Sequence, residues 1–194
     1  MGIKTKILLT FIVMSLCACN SDLDKRTTFT FTGDSIIECW DLQSYFSSLI
    51  TYNRGRSGAG IPYIESMAGQ MKGKNVVVMI GTNDSFMMRD AATRAEYVDR
   101  YVSAINALGA GTVYLFEVLP REFVIDDKYT NQDIRNFNAE VAGKIKDYGN
   151  FVYLKVYDKF LDGDGRIIYE YYSDGLHLSP EGYEVLGNAL FNRL

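Results

Sequence analysis

One histidine, one tryptophan and three cysteines occur in a chain of 194 residues. A zinc constellation assembled from imidazoles and thiolates is therefore excluded. Positive charge is also short: 20 Lys and Arg stand against 24 Asp and Glu, for a formal net charge of −4. That argues against a nucleic-acid partner, which needs a basic face. There is no internal repeat and no low-complexity block. No phosphate-cradling glycine loop is present, since Gly58-Ala59-Gly60 runs on to Tyr63 where another glycine is required. The N-terminal apolar run, Ile7–Leu16, is too short to span a bilayer, which takes about 20 residues. At 47% hydrophobic and 23% charged residues, the remainder has the composition of one globular domain with a substantial core.

The N-terminus reads separately. Lys4 and Lys6 precede the apolar run, which has the size of a signal-peptide core. It ends in Leu16-Cys17-Ala18-Cys19, which resembles a bacterial lipoprotein lipobox. The resemblance implies cleavage of residues 1–18, lipidation of Cys19, and a tether over 19–26 leading into a domain at 27–194. The expected location is the bacterial cell envelope, on the outer membrane or cell surface or facing the periplasm, with the lipid as the only membrane contact. Cys39 is then the one thiol left in the mature chain, so an intramolecular disulfide is not possible.

The domain alternates strand and helix. Strands are predicted over Thr27–Thr32, Leu49–Asn53, Val76–Ile80, Thr112–Val118 and Phe151–Val156. The middle one is a continuous apolar run, as a strand buried on both faces requires. Apolar residues at helical spacing follow: Val98, Tyr101, Val102, Ile105 and Leu108, then Ile134, Phe137, Val141, Ile145 and Tyr148. A last helix is announced by Ser179 and Pro180, with Tyr183, Leu186, Leu190 and Leu194 on its apolar face. This pattern predicts an α/β fold: a parallel sheet with helices on both faces and ligands bound beyond the carboxyl ends of its strands.

Polar clusters fall at those ends. They are Gly33-Asp34-Ser35, the stretch Asn53–Gly60 with Gly58, and Gly81-Thr82-Asn83-Asp84. A fourth, with Asp174 and His177, precedes the last helix. A serine hydroxyl is a poor nucleophile until a base removes its proton. His177 is the only side chain available whose unperturbed pKa lies near neutrality. Asp174, three residues earlier on a turn marked by Gly175, is spaced to reach the imidazole. Two other readings are set aside. Ser57, in a near miss of the Gly-x-Ser-x-Gly elbow, is expected to hold the Gly58 loop. Asp162 and Asp164 suggest calcium, but an EF-hand register centred on Gly165 puts Phe160 first and Tyr171 last, where carboxylates are needed. An Asp-Gly hairpin turn is expected there instead.

Taken together, "GDSI", "NRGRSG", "GTND" and "DGLHLSPEGY" resemble the SGNH hydrolases, the GDSL esterase family, over nearly the whole chain after Thr30. The resemblance implies a three-layer sandwich with a five-stranded parallel sheet in flavodoxin-like order 2-1-3-4-5. It implies Ser35 as nucleophile, His177 as base and Asp174 as acid. The oxyanion hole is expected from the backbone amides of Ser35 and Gly58 and the side chain of Asn83. No cofactor and no metal are expected. The substrate class implied is a small-molecule or glycan ester, O-acetyl before the alternatives of a lysophospholipid, another longer acyl ester or a thioester. A catalytically silent glycan-binding surface protein on the same scaffold is the rival of a different class. Asp34 is expected to be structural, and the oligomeric state is open.

Overall fold

A computed structural model describes residues 27–122 and 129–194. The signal, lipobox and tether lie outside the described residues. Five parallel strands run Thr28–Gly33 (β1), Ile50–Gly55 (β2), Asn75–Met79 (β3), Thr112–Phe116 (β4) and Phe151–Leu154 (β5), in the order β2-β1-β3-β4-β5. This is the predicted α/β sandwich. The long helices are Ala91–Asn106 (α4), Asn131–Ile145 (α5) and Pro180–Phe191 (α6). Three short ones, Ser35–Glu38 (α1), Leu42–Tyr45 (α2) and Ile61–Glu65 (α3), follow the first two strands.

Alternation along β3 divides the core. Val76 and Val78 point into one cluster with Ile64, Tyr101, Ile105 and Phe137 of α3, α4 and α5. Val77 and Met79 point into the other, with Ile36, Trp40, Leu186 and Leu190 of α1, its C-terminal turn and α6. Every one of these β3 side chains is 0–1% exposed, which accounts for the unbroken apolar run. Trp40 is buried and lies 5.6 Å from Phe31, 5.4 Å from Phe46 and 5.5 Å from Tyr183 between ring centroids. It anchors α1 in the core.

Several boundaries differ from expectation. β4 stops at Phe116 because Val118 leaves the ladder. Its amide donates to Asn138 Oδ1 (3.0 Å) and its carbonyl accepts from Asn138 Nδ2 (2.8 Å). β5 stops at Leu154 because the amides of Val156 and Tyr157 donate to the Glu117 carboxylate at 2.7 and 2.8 Å. Leu194 is not on the apolar face of α6: that helix ends at Phe191, and Leu194 is exposed. The Asp-Gly segment forms a turn closed by a single antiparallel bridge, Leu161 to Ile167, with Asp162 Oδ1 accepting from the amides of Asp164 and Arg166.

Candidate active site

The register puts Gly33 of β1 level with Gly55 of β2 and Met79 of β3, so three of the four polar clusters leave the sheet on one rim. Gly33 is there because the strands approach closely. A Cβ at this position would sit 1.8 Å from the Met79 carbonyl oxygen. The chain then turns into α1. Asp34 caps that helix, Oδ1 accepting from the Ile36 amide (3.0 Å), and Ser35 is its first residue.

The fourth cluster arrives from far along the chain. Asp174 Oδ1 accepts from the amides of Leu176 (3.0 Å) and His177 (2.6 Å), which folds the loop over its own carboxylate. Asp174 Oδ2 meets His177 Nδ1 at 2.7 Å, and His177 Nε2 lies 3.0 Å from Ser35 Oγ. Two features fix the meeting of residues 142 positions apart. Ser179 caps α6 through the Gly182 amide, and Tyr183 of that helix donates its hydroxyl to the Ile36 carbonyl at 2.8 Å, directly behind Ser35.

Electrostatics separates the two acids. The imidazole hydrogen bond, followed by the His177 and Leu176 amides, holds Asp174 down to about 2. It is an anion at any ordinary pH, so the proton of a neutral imidazole sits on Nδ1 and Nε2 is left to accept from the serine. Asp34 is fully buried, and desolvation pushes it up to about 6, opposed by the Ile36 amide and the charge of Arg121. Its Oδ2 has no hydrogen-bond partner. Because the folded state binds that proton more tightly than the unfolded chain does, the stability linked to it is present below pH about 4 and is lost as pH rises through 6. Asp34→Asn keeps the cap acceptor and removes the charge. Its unfolding free energy relative to wild type is expected to rise by about 2 kcal/mol between pH 4 and pH 7. Parallel denaturant titrations at the two pH values check this; an unchanged difference would show that Asp34 titrates normally.

The remaining residues sit where the clusters converge. Asn83 lies in a 3-10 turn, Thr82–Met87, and its Nδ2 donates to the Ala59 carbonyl at 2.8 Å, so the Asn83 turn and the Gly58 loop are tied together. An amide nitrogen carries two hydrogens, and the second remains available to a ligand. Gly58 has φ +71° and occupies a turn closed by Ala59 N donating to the Arg56 carbonyl at 3.0 Å. Ser57 is tied by amide and hydroxyl to the Glu38 carboxylate, which occupies its side chain with holding this loop. Asp84 also serves the loops: its Oδ2 accepts from the Ile61 amide (2.6 Å) and the Tyr97 hydroxyl (2.7 Å).

Two open cavities adjoin the rim. One of about 290 Å³ is lined by Arg56, Gly58, Pro62 and Tyr63, with the Arg56 guanidinium 5.6 Å from the Tyr63 ring centroid. The other, about 410 Å³, is lined by Cys39, Asp41, Tyr45, Leu178, Pro180 and Tyr183. Cys39 thus lies one helical turn from Ser35 and beside the residue that follows His177. Of Tyr169, Tyr171 and Tyr172, which precede the His177 loop, Tyr172 is buried with its hydroxyl on the Pro120 carbonyl (2.6 Å), whereas Tyr169 is exposed. Arg121 and Glu38 are site-supporting residues that carried no signal in the sequence.

Comparison with known proteins gives the family and the fold. The family model for GDSL-like lipases and acylhydrolases matches residues 31–185. The chain is 26% identical over 179 residues to the N-acylneuraminate cytidylyltransferase of Escherichia coli O18:K1:H7 (strain RS218 / NMEC), a match covering 88% of this chain and 41% of that protein. The chain therefore spans less than half the length of this curated relative. Among solved structures, a candidate platelet activating factor from Streptococcus pneumonia is 27% identical with a TM-score of 0.71, over 87% of this chain and 84% of that one. A catalytic mutant of an acetylxylan esterase from Geobacillus stearothermophilus shares the fold at 16% identity and a TM-score of 0.56, over 86% of this chain and 93% of that one.

Proposed function

Since the chain belongs to the GDSL-like lipase/acylhydrolase family, we propose that it is a carboxylic ester hydrolase, that it acts through an acyl-enzyme on Ser35 and that its substrate is an O-acetyl ester of a carbohydrate. The observation that carries the mechanism is the continuous line from Ser35 Oγ to His177 Nε2 (3.0 Å) and from His177 Nδ1 to Asp174 (2.7 Å).

The steps follow from that line. Ser35 Oγ attacks the ester carbonyl as its proton passes to His177 Nε2. The carbonyl oxygen becomes an oxyanion, held by the amides of Ser35 and Gly58 and by Asn83 Nδ2. The bond to the leaving alkoxide breaks as Nε2 returns the proton, and the alcohol departs. Water then gives a proton to Nε2 and its oxygen to the acyl carbon. Collapse of the second tetrahedral species breaks its bond to Ser35 Oγ as Nε2 returns the proton there, releasing the carboxylic acid and restoring the serine. Asp174 keeps the imidazole in the required tautomer and offsets its transient positive charge.

The substrate class rests on a different set of observations. Both cavities at the rim are open, with polar groups at their walls, and the Arg56–Tyr63 pair beside Gly58 offers a flat face and a cation to a sugar-borne leaving group. The acetylxylan esterase with this fold acts on an acetylated glycan, and the curated relative is named for an acidic sugar. The apolar side of the Cys39 cavity, with Leu178, Pro180 and Tyr183, supports the second reading, a longer acyl chain.

Turnover of p-nitrophenyl esters from acetyl to decanoyl, together with acetylated xylan and O-acetylated N-acylneuraminate, separates the readings. For an acetyl esterase, kcat/KM falls at least about 10-fold by the hexanoyl ester, an energy difference of about 1.4 kcal/mol. A maximum at octanoyl or decanoyl contradicts it in favour of the longer acyl chain. A catalytically silent glycan-binding protein turns over none of these esters.

A further inference from the structure

One ionic side chain at the rim has no part in the steps above. Arg121, five residues beyond β4, is 8% exposed, and its Nη2 donates to the Thr82 carbonyl at 2.6 Å and to Ser85 Oγ at 2.7 Å. Thr82 immediately precedes Asn83, and Ser85 follows it by two. We propose that Arg121 is a positioning residue for the oxyanion site, locking the Thr82–Met87 turn so that the Asn83 carboxamide meets the reacting carbonyl. The inference rests on the esterase reading and on the role given there to Asn83.

The turn needs such a lock. A 3-10 turn has poorer hydrogen-bond geometry than an α-helix, and this one has no side-chain cap at its start. Asp84 pins one side through the Ile61 amide and the Tyr97 hydroxyl. Arg121 pins the other, gripping both the residue before and a residue after the donor. The arginine is itself fixed from elsewhere. Its amide donates to Asn131 Oδ1 (3.1 Å), its carbonyl accepts from Asn131 Nδ2 (2.8 Å), and its guanidinium carbon lies 4.6 Å from the Tyr129 ring centroid. The first residue of α5 thereby sets the height of a guanidinium at the β3 loop.

Filling space does not explain the residue. The guanidinium is buried against a carbonyl, a hydroxyl and an aromatic face, and its Nε has no hydrogen-bond partner. Desolvating a cation is costly even where, as here, the buried Asp34 carboxyl feels its charge, and an apolar side chain of similar volume avoids that cost. What the arginine adds is one Nη2 group whose two hydrogens reach two acceptors on one turn at once. Misplacement of a reacting group by about 1 Å can cost on the order of 10²-fold in rate, so a loosened turn is felt at the chemical step.

A double-mutant cycle tests this, with p-nitrophenyl acetate as substrate and Ser35→Ala as the blank. Asn83→Ala is expected to lower kcat about 10²-fold. Arg121→Met is expected to lower kcat about 10-fold with KM changed less than about 3-fold. In the Asn83→Ala background, the same Arg121→Met change is expected to cost less than about 2-fold, because the donor it positions is gone. Equal losses in both backgrounds would overturn the inference and leave the esterase reading intact. Wild-type protein without Ser35-dependent turnover would bring down both. Thermal unfolding accompanies each variant. Where Arg121→Met does not fold, Ser85→Ala removes one of the two anchors and keeps the charge; the same dependence on Asn83 is expected at smaller amplitude, and equal losses again overturn the proposal.

Discussion

Ser35→Ala is expected to lower kcat for p-nitrophenyl acetate by at least about 10⁴-fold, with little change in KM. In the proposed mechanism the Ser35 hydroxyl forms the acyl-enzyme, and neither Ser57 nor Cys39 is placed to replace it. Ser57 is occupied by Glu38, and Cys39 lies a full helical turn away along α1. His177→Ala is expected to match the loss, since without the base the serine proton has nowhere to go. The double variant should be no slower than either single one, because the two residues perform one act. Single-turnover and steady-state assays on the three proteins check this. Losses that multiply would mean that serine and histidine work independently, which the 3.0 Å contact between them argues against.

Asp174→Asn is expected to lower kcat by about 10³-fold at neutral pH. The carboxylate accepts from Nδ1; a carboxamide can present its NH₂ there instead, and the imidazole then turns its protonated nitrogen towards Ser35. A buried acid of this kind is worth about 10⁴-fold. A smaller figure is expected here because the Asp174 side chain is 54% exposed, so solvent screens its interaction with the imidazolium. Orientation remains the larger part, since Oδ1 accepts from two amides of its own loop. Asp174→Ala keeps neither the acceptor nor those amide contacts, and should fall further. Because the acid is held down to about 2, it stays ionised through neutral and mildly acidic pH, so the acid limb of the wild-type pH–rate profile is not its titration. A limb that vanishes in Asp174→Asn would point to the carboxylate as its source.

What could be read in advance follows from how local the physics is. β3 was legible because burial on both faces demands a continuous apolar run, and residues 76–80 supply one. The turns that meet at the candidate site were legible because their pattern is compressed into three or four residues: a glycine where strands crowd, a serine after it, a carboxylate three before a histidine. α6 announced itself through Ser179 and Pro180. The ends of β4 and β5 were not legible, because Asn138 and Glu117 terminate them from 20 and 39 residues away. Arg121 escaped for the same reason. Its partners Thr82 and Ser85 lie 39 and 36 positions earlier, and nothing near it in the chain marks it as part of a site. The Asp34 carboxyl was expected to be structural, and it caps α1; its unsatisfied Oδ2 and raised pKa depend on packing that no local pattern reveals.

The central claim is that a hydroxyl on the first residue of α1 is activated by an imidazole brought from the other end of the chain. Fluorophosphonate labelling followed by peptide mapping tests it most directly. One adduct per chain, on Ser35, is predicted for the wild type, slowed at least about 10³-fold in His177→Ala. An adduct on any other residue, or labelling of Ser35 at the same rate without His177, would contradict the account.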